Sequence, residues 1–410
     1  MPAVLEPTAT QDAPHGLSMA QISHSIGLAR ILLICGLVFL HYGLFPNSPA
    51  NPFEGLDIHQ HRFATWLNSF VVFFFHSAVP LLSMISGWLF FTFLPQDAWA
   101  SISRRMRSRL TTVYLPMVAW NALYLALIYA AFRAHPQSAA FSHATRFNID
   151  FFTAGPMQYI NSVFAVTDTP IGFQFWFVRD LFVTALVSPL WWLMICRIPW
   201  LGALIIGAIW LSGWNMVIFF RPDVPFFFYL GALIHQKHLR IVIPLRLTLI
   251  LVALYVALVS LRALAPYVVA FPNHVAPYWI EVATRSMRIV GVIGCWGVIY
   301  RLARTQNGIF ISGYGGAAFF LYSAHWPLLS VIKEAAWHFI PGQSDFWMLA
   351  HYVGCVTLTI VISMTIALTL ARLSPGLFAL MNGGRLLGQN KGHRAGVPVP
   401  KLAEQQVTAS

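Results

Sequence analysis

IGLARILLICGLVFLHYGL, residues 26–44, is the stretch that decides how this chain is read. It is apolar almost throughout, yet it carries Arg30 and His41. As a helix at 100° per residue, eleven positions make three turns and roughly 20° of rotation. The cation and the imidazole therefore lie on one stripe, ~16 Å apart along the axis. The run is about as long as a bilayer-crossing helix, ~20 residues. It exceeds the about 7–15 apolar residues of a secretory signal, and residues 1–29 lack a basic leading region and a convincing cleavage site. It is expected to remain as a span. An ionisable stripe on such a span is costly unless it faces a polar cavity.

The rest of the chain extends this reading. Of 410 residues, 58% are hydrophobic and 9% charged, against about 25% charged in soluble domains. The mean hydropathy is +0.67. The predicted fold is all-α: a polytopic integral membrane protein with about ten transmembrane helices. The expected spans are 26–45, 66–94, 111–132, 174–195, 199–219, 224–236, 246–265, 279–300, 309–332 and 346–371. Residues 1–25 form a polar N-terminal tail, 26–372 the transmembrane domain, and 373–410 a basic, disordered tail. With the N-terminus cytoplasmic, 15 Lys and Arg fall on the inner side and 8 on the outer side. That asymmetry places both termini in the cytoplasm. It also accounts for the net charge of +12 without nucleic acid as a partner. The four cysteines lie in apolar stretches without a CxxC pair, so no disulfide or metal is expected from them.

Several spans bring ionisable groups to comparable depth. Arg179-Asp180 and His325 lie in outer halves with His41, and His76 lies near the middle of the second span. An unpaired charge at a helix centre costs at least ~2.5–3.5 kcal/mol. Together these groups require one hydrated, mutually paired cavity. Bland alternatives stand beside each. His76 is a packing histidine, and Arg179-Asp180 is a structural ion pair or a functional one. Ser86-Gly87 is a small pair for helix packing or part of a site, and the arginines from Arg104 to Arg109 are topogenic or ligand-binding. His59-Gln60-His61 has metal-like spacing but no third ligand.

Four motifs, in order, resemble the membrane-bound acyltransferase 3 family. Arg30 and His41 with ten residues between them look like its R-x10-H motif. Ser86-Gly87-Trp88-Leu89-Phe90 is similar to its SGF-type motif, with Trp88 where Phe is common. Arg104-Arg105-Met106-Arg107 holds an R-x-x-R spacing. Leu321-Tyr322-Ser323-Ala324-His325-Trp326-Pro327-Leu328 resembles its late H-x-P segment. Gln174-Phe175-Trp176-Phe177-Val178-Arg179-Asp180-Leu181 looks like the WF-L-R segment of smaller sugar-modifying members, while the WSxxxE pattern of other members is absent. The resemblance covers about residues 22–372, and is nearest to stand-alone glucan or exopolysaccharide O-acyltransferases.

The resemblance implies transfer of an acyl group, acetyl or succinyl, from a cytosolic coenzyme A thioester to a carbohydrate hydroxyl at a bacterial inner membrane. The acyl-coenzyme A is then a co-substrate, and no tightly bound cofactor or metal is expected. Membrane lipids, the carbohydrate acceptor and polysaccharide synthesis or export proteins are the expected partners. A sugar hydroxyl needs a base of near-neutral pKa, which points to His41 as base or transient acyl acceptor. The oxyanion needs a fixed cation or donor, for which Arg179 and Ser86 are the candidates. Arg30 and His325 complete the catalytic set, and Arg104 and Arg107 are the candidates for the donor's phosphates. The other class open to a polytopic chain with such groups is a transporter or lipid-linked-sugar flippase.

Overall fold

The computed structural model describes residues 16–137, 148–339, 344–385 and 387. The first 15 residues and positions 388–410 of the expected tails lie outside the described residues, as do Arg146, Lys391, Arg394 and Lys401 of the charge count.

The described residues fold into helices, with no strand among them. They are α1 (Met19–Leu40), α2 (Arg62–Phe75), α3 (Ala78–Phe90), α4 (Ala98–Arg109), α5 (Leu115–Ala134), α6 (Pro156–Phe164), α7 (Trp176–Leu186) and α8 (Ser188–Arg197). Then follow α9 (Pro199–Ser212), α10 (Asp223–Gln236), α11 (Leu245–Ala263), α12 (Tyr278–Leu302), α13 (Gln306–Ser312), α14 (Ala318–Trp337), α15 (Asp345–Leu373) and α16 (Pro375–Met381).

α1 begins seven residues ahead of the expected span, because Ser18 and Gln21 form a capping box. Gln21 N–H donates to Ser18 Oγ at 3.3 Å, and Ser18 N–H to Gln21 Oε1 at 3.0 Å. α1 packs against α2, α3, α12, α14 and α15, so it is the central helix of the bundle.

Among the described residues, seven helical stretches are long and apolar enough to cross a membrane; the pair α7–α8, bent by 58°, makes up to eight. The difference from ten lies in α9 and α10. Each has 14 residues, ~21 Å of rise, short of the ~30 Å hydrocarbon core. α10 is apolar because protein covers it: Val224 through Tyr229 are all buried. It packs on α3 at backbone distance, since a Cβ at Gly231 would lie 1.9 Å from the Met84 carbonyl and one at Gly87 2.0 Å from that of Phe228. Gly87 of the serine–glycine motif is therefore a packing glycine.

Two local breaks position the functional residues. A π turn, Leu110–Tyr114, joins α4 to α5 just ahead of Pro116, which has no N–H to return to the carbonyl of Thr112. In α14, Trp326 is non-helical (φ −112°, ψ 134°) ahead of Pro327. The chain also stays with the bundle past residue 373. α16 buries Phe378, and Asn382 is fully buried beyond it.

Candidate active site

At the break in α14, Pro327 has no N–H to return to the carbonyl of Ser323. Side chains bond that carbonyl and the neighbouring one of Tyr322. Ser323 O accepts from Tyr124 Oη and, at 3.3 Å, from Gln174 Nε2. Tyr322 O accepts from His325 Nδ1 at 2.6 Å. A carbonyl can only accept, so the proton of neutral His325 is on Nδ1 and its Nε2 holds a lone pair. That lone pair faces His41 Nδ1 at 2.9 Å. His41 therefore donates from Nδ1, and its Nε2 is left with a lone pair. The two rings are parallel within 2°, and Phe173 packs edge-on against His41 at 5.1 Å. His41 caps the end of α1, where the helix no longer fills its surroundings with its own next turn.

At the other end of the same stripe is a cavity of about 110 Å³. Arg30, Arg109 and Arg385 line it with Ser86, Phe319 and Tyr322, and no carboxylate does. Arg109 Nη2 donates to Ser86 Oγ at 3.3 Å, and Arg385 Nη1 to the Asn382 carbonyl at 3.3 Å. Arg30 makes no hydrogen bond or ion pair to another described residue. Tyr322 joins the two ends: it lines the arginine cavity and its carbonyl orients His325. A larger cavity, about 200 Å³ between α1, α3, α10 and α12, is apolar apart from Arg240. It shares only Ile85 with the first, and its lining offers nothing for proton transfer.

The remaining sequence candidates separate. Arg179 bonds Asp180 Oδ1 at 3.0 Å, the carbonyls of Ala165 (3.2 Å) and Val166 (3.0 Å), and that of Ile218. Four of its five N–H groups thus hold protein. Asp180 in turn accepts the backbone N–H groups of Phe220 and Arg221, at 3.0 and 2.9 Å. The pair is a clamp on the loop between α9 and α10. Arg104 and Arg107 are exposed on α4, and neither lines the arginine cavity. Of the α4 arginines, Arg109 and Arg105 are the ones that turn inward. Arg105 caps the C-terminus of α3 through the carbonyls of Leu89 and Phe90, both at 2.6 Å.

Sequence reasoning missed three residues. Arg385 entered it only as a topogenic charge, and Arg109 only within the run from Arg104 to Arg109, topogenic or ligand-binding, two residues beyond the spacing chosen for the donor's phosphates. Arg221 entered only as an outer-loop charge. Its guanidinium stacks on Trp176 at 4.5 Å and makes no hydrogen bond to another described residue. Its charge acts on both His41 and Tyr322.

The fold and site are those of a helical, multi-pass membrane protein with a histidine pair and an arginine-lined cavity at the two ends of one helical stripe, and comparison with known proteins gives its family. The family model for the acyltransferase 3 domain matches residues 23–368. The chain belongs to that family and is an acyltransferase, which decides against the transporter reading. It is 30% identical over 370 residues to the succinoglycan biosynthesis protein ExoH of Rhizobium meliloti (strain 1021), covering 89% of this chain and 93% of that protein. No solved structure matches it.

Proposed function

We propose that the protein transfers an acyl group, acetyl or succinyl, from a coenzyme A thioester to a hydroxyl of an exopolysaccharide. The observation that carries this reading is the continuity of α1 and α14 between the arginine cavity and the His41–His325 pair. Phosphates belong beside guanidiniums, whose planar forks match them. A thioester must reach the base. Arg30 and His41, ~16 Å apart along α1, match the task of a long donor with an anionic head and a reactive tail. The exopolysaccharide acceptor rests on the likeness to the succinoglycan protein.

In this mechanism His41 Nε2 takes the proton of the acceptor hydroxyl as its oxygen attacks the thioester carbon. The carbonyl oxygen becomes an oxyanion, which Arg221, a cation whose charge acts on His41, would stabilise. When the intermediate collapses, the C–S bond breaks and His41 returns the proton to the thiolate. His325 holds His41 in the productive tautomer throughout, as the orienting partner of a catalytic histidine does. Arg179, held in its clamp, supports the loop that carries Arg221. Arg104 and Arg107, exposed on α4, meet the donor's charge before it enters.

By the asymmetry of basic residues the Arg30 end faces the cytoplasm, where coenzyme A thioesters are made, and the membrane is the bacterial inner membrane. Mass spectrometry of exopolysaccharide from cells with and without the gene tests the assignment. Loss of one acyl mass per repeating unit is expected on deletion; identical spectra overturn it.

A further inference from the structure

After α15 the chain folds back through α16 and lays residues 382–385 against α14 and the π turn. The docking is specific. Asn382 Oδ1 accepts the Phe320 N–H at 3.0 Å, and Asn382 Nδ2 donates to the carbonyls of Gly316 and Arg385, both at 2.8 Å. Trp120 Nε1 donates to the Met381 carbonyl at 2.9 Å. Gly383 has φ +67°, and a Cβ there would lie 2.2 Å from the Thr112 carbonyl, so glycine alone fits. These contacts hold Arg385 beside Arg30 and Arg109 in the cavity where no carboxylate balances them. Burial and the charges of Arg30 and Arg109 push the Arg385 guanidinium down to about 9. Each of Arg109 and Arg385 has a single long bond to protein, and Arg30 has none among the described residues.

Three guanidiniums gathered without an acid repel one another, and most of their donors are unused. Such a group is stable with an anion of high charge density between them. The phosphate group fits, because each arginine can offer it a two-pronged donor and the pocket is the size of a small group, not of a whole nucleotide. The segment from 382 to 385 lies outside residues 23–368, so its contribution is not part of what the family match covers.

We propose that the turn after the last membrane helix belongs to the donor site, where Arg385 joins Arg30 and Arg109 in binding a phosphate group of the donor nucleotide. The inference rests on the coenzyme A reading above. It makes Arg385 a binding residue that sets donor affinity, and Gly383 the residue that lets the turn approach closely enough to deliver it.

The test is binding by the full chain purified in detergent, followed by calorimetry, with coenzyme A and inorganic phosphate as probes. Parallel samples in nanodiscs with and without phosphatidylglycerol test a lipid headgroup as the source of the phosphate. Arg385→Gln is expected to weaken coenzyme A binding about tenfold or more, the scale of losing charge-assisted hydrogen bonds, with the ligand-free unfolding midpoint kept. Arg385→Lys retains part of the affinity. Gly383→Ala weakens binding with Arg385 still present. Equal coenzyme A affinity for wild type and Arg385→Gln overturns the inference and leaves the proposed function standing. If wild type binds no coenzyme A, both fall. Dependence on Arg385 of phosphatidylglycerol binding alone overturns the assignment to the donor and makes the cavity a lipid site. Should Arg385→Gln fail to fold, the Lys and Ala variants decide: unchanged affinity in both overturns the inference.

Discussion

Arg179 and Arg30 are both arginines in the helical body of a membrane protein, and the structure treats them oppositely. Arg179 directs four N–H groups at Asp180 and three carbonyls. Arg30 makes no such bond among the described residues and lines a cavity with two other cations. By composition and cost the two are alike, since each is an expensive residue in an apolar helix. They differ in hydrogen-bond satisfaction. A buried charge whose donors are occupied by the protein holds the fold together; one left unsatisfied is available to a ligand. The same contrast separates Asp180, which accepts from two backbone amides and Arg179, from His41, whose Nδ1 is bound and whose Nε2 keeps its lone pair.

The comparison breaks most directly at its two poles. His41→Ala is expected to lower acyl transfer by about 10²–10⁴-fold, the usual worth of a positioned general base. Its membrane yield and unfolding midpoint should match wild type. His325→Ala should lower kcat less and leave the donor KM unchanged, since it acts through His41. Full turnover by His41→Ala would move His41 to the structural side. Arg179→Ala is expected to do the reverse. Breaking a buried pair costs about 3–5 kcal/mol, read as a lower unfolding midpoint and yield. Donor KM in the folded fraction should be preserved. A stable Arg179→Ala protein unable to bind donor would invert the contrast. The smallest effect sharpens it. Arg104→Gln together with Arg107→Gln should raise donor KM by about threefold or less, and added salt should erase the difference, as for exposed charges. A rise as large as that of Arg385→Gln would place these exposed arginines inside the binding site.

What could be read from sequence follows from which forces act locally. The stripe of Arg30 and His41 is a matter of helical period, and the structure keeps both on α1 and its cap. The resemblance identified the family and picked out Tyr322-Ser323-Ala324-His325-Trp326-Pro327, while the break there that orients His325 was read as part of one span, 309–332. The span count differed at 224–236 because an apolar helix reads alike whether lipid or protein covers it. The contact of Gly231 with Met84 across 147 positions is not a periodicity. Arg104 and Arg107 were chosen by spacing, while the π turn and its neighbouring residues settle which side of α4 turns inward. Arg385 could not be found at all from pattern. It depends on a glycine meeting the carbonyl of Thr112, which is a property of the folded surface.

The close seam between α3 and α10 bears on how the protein is made. A 14-residue helix is too short to partition into the bilayer by itself. α3 is translated well before α10 and presents Gly87 as a ready groove. A bulky residue at Gly87 would meet the Phe228 carbonyl and force the two helices apart, so Gly87→Leu is expected to lower the yield of folded protein in the membrane, read before any turnover is measured.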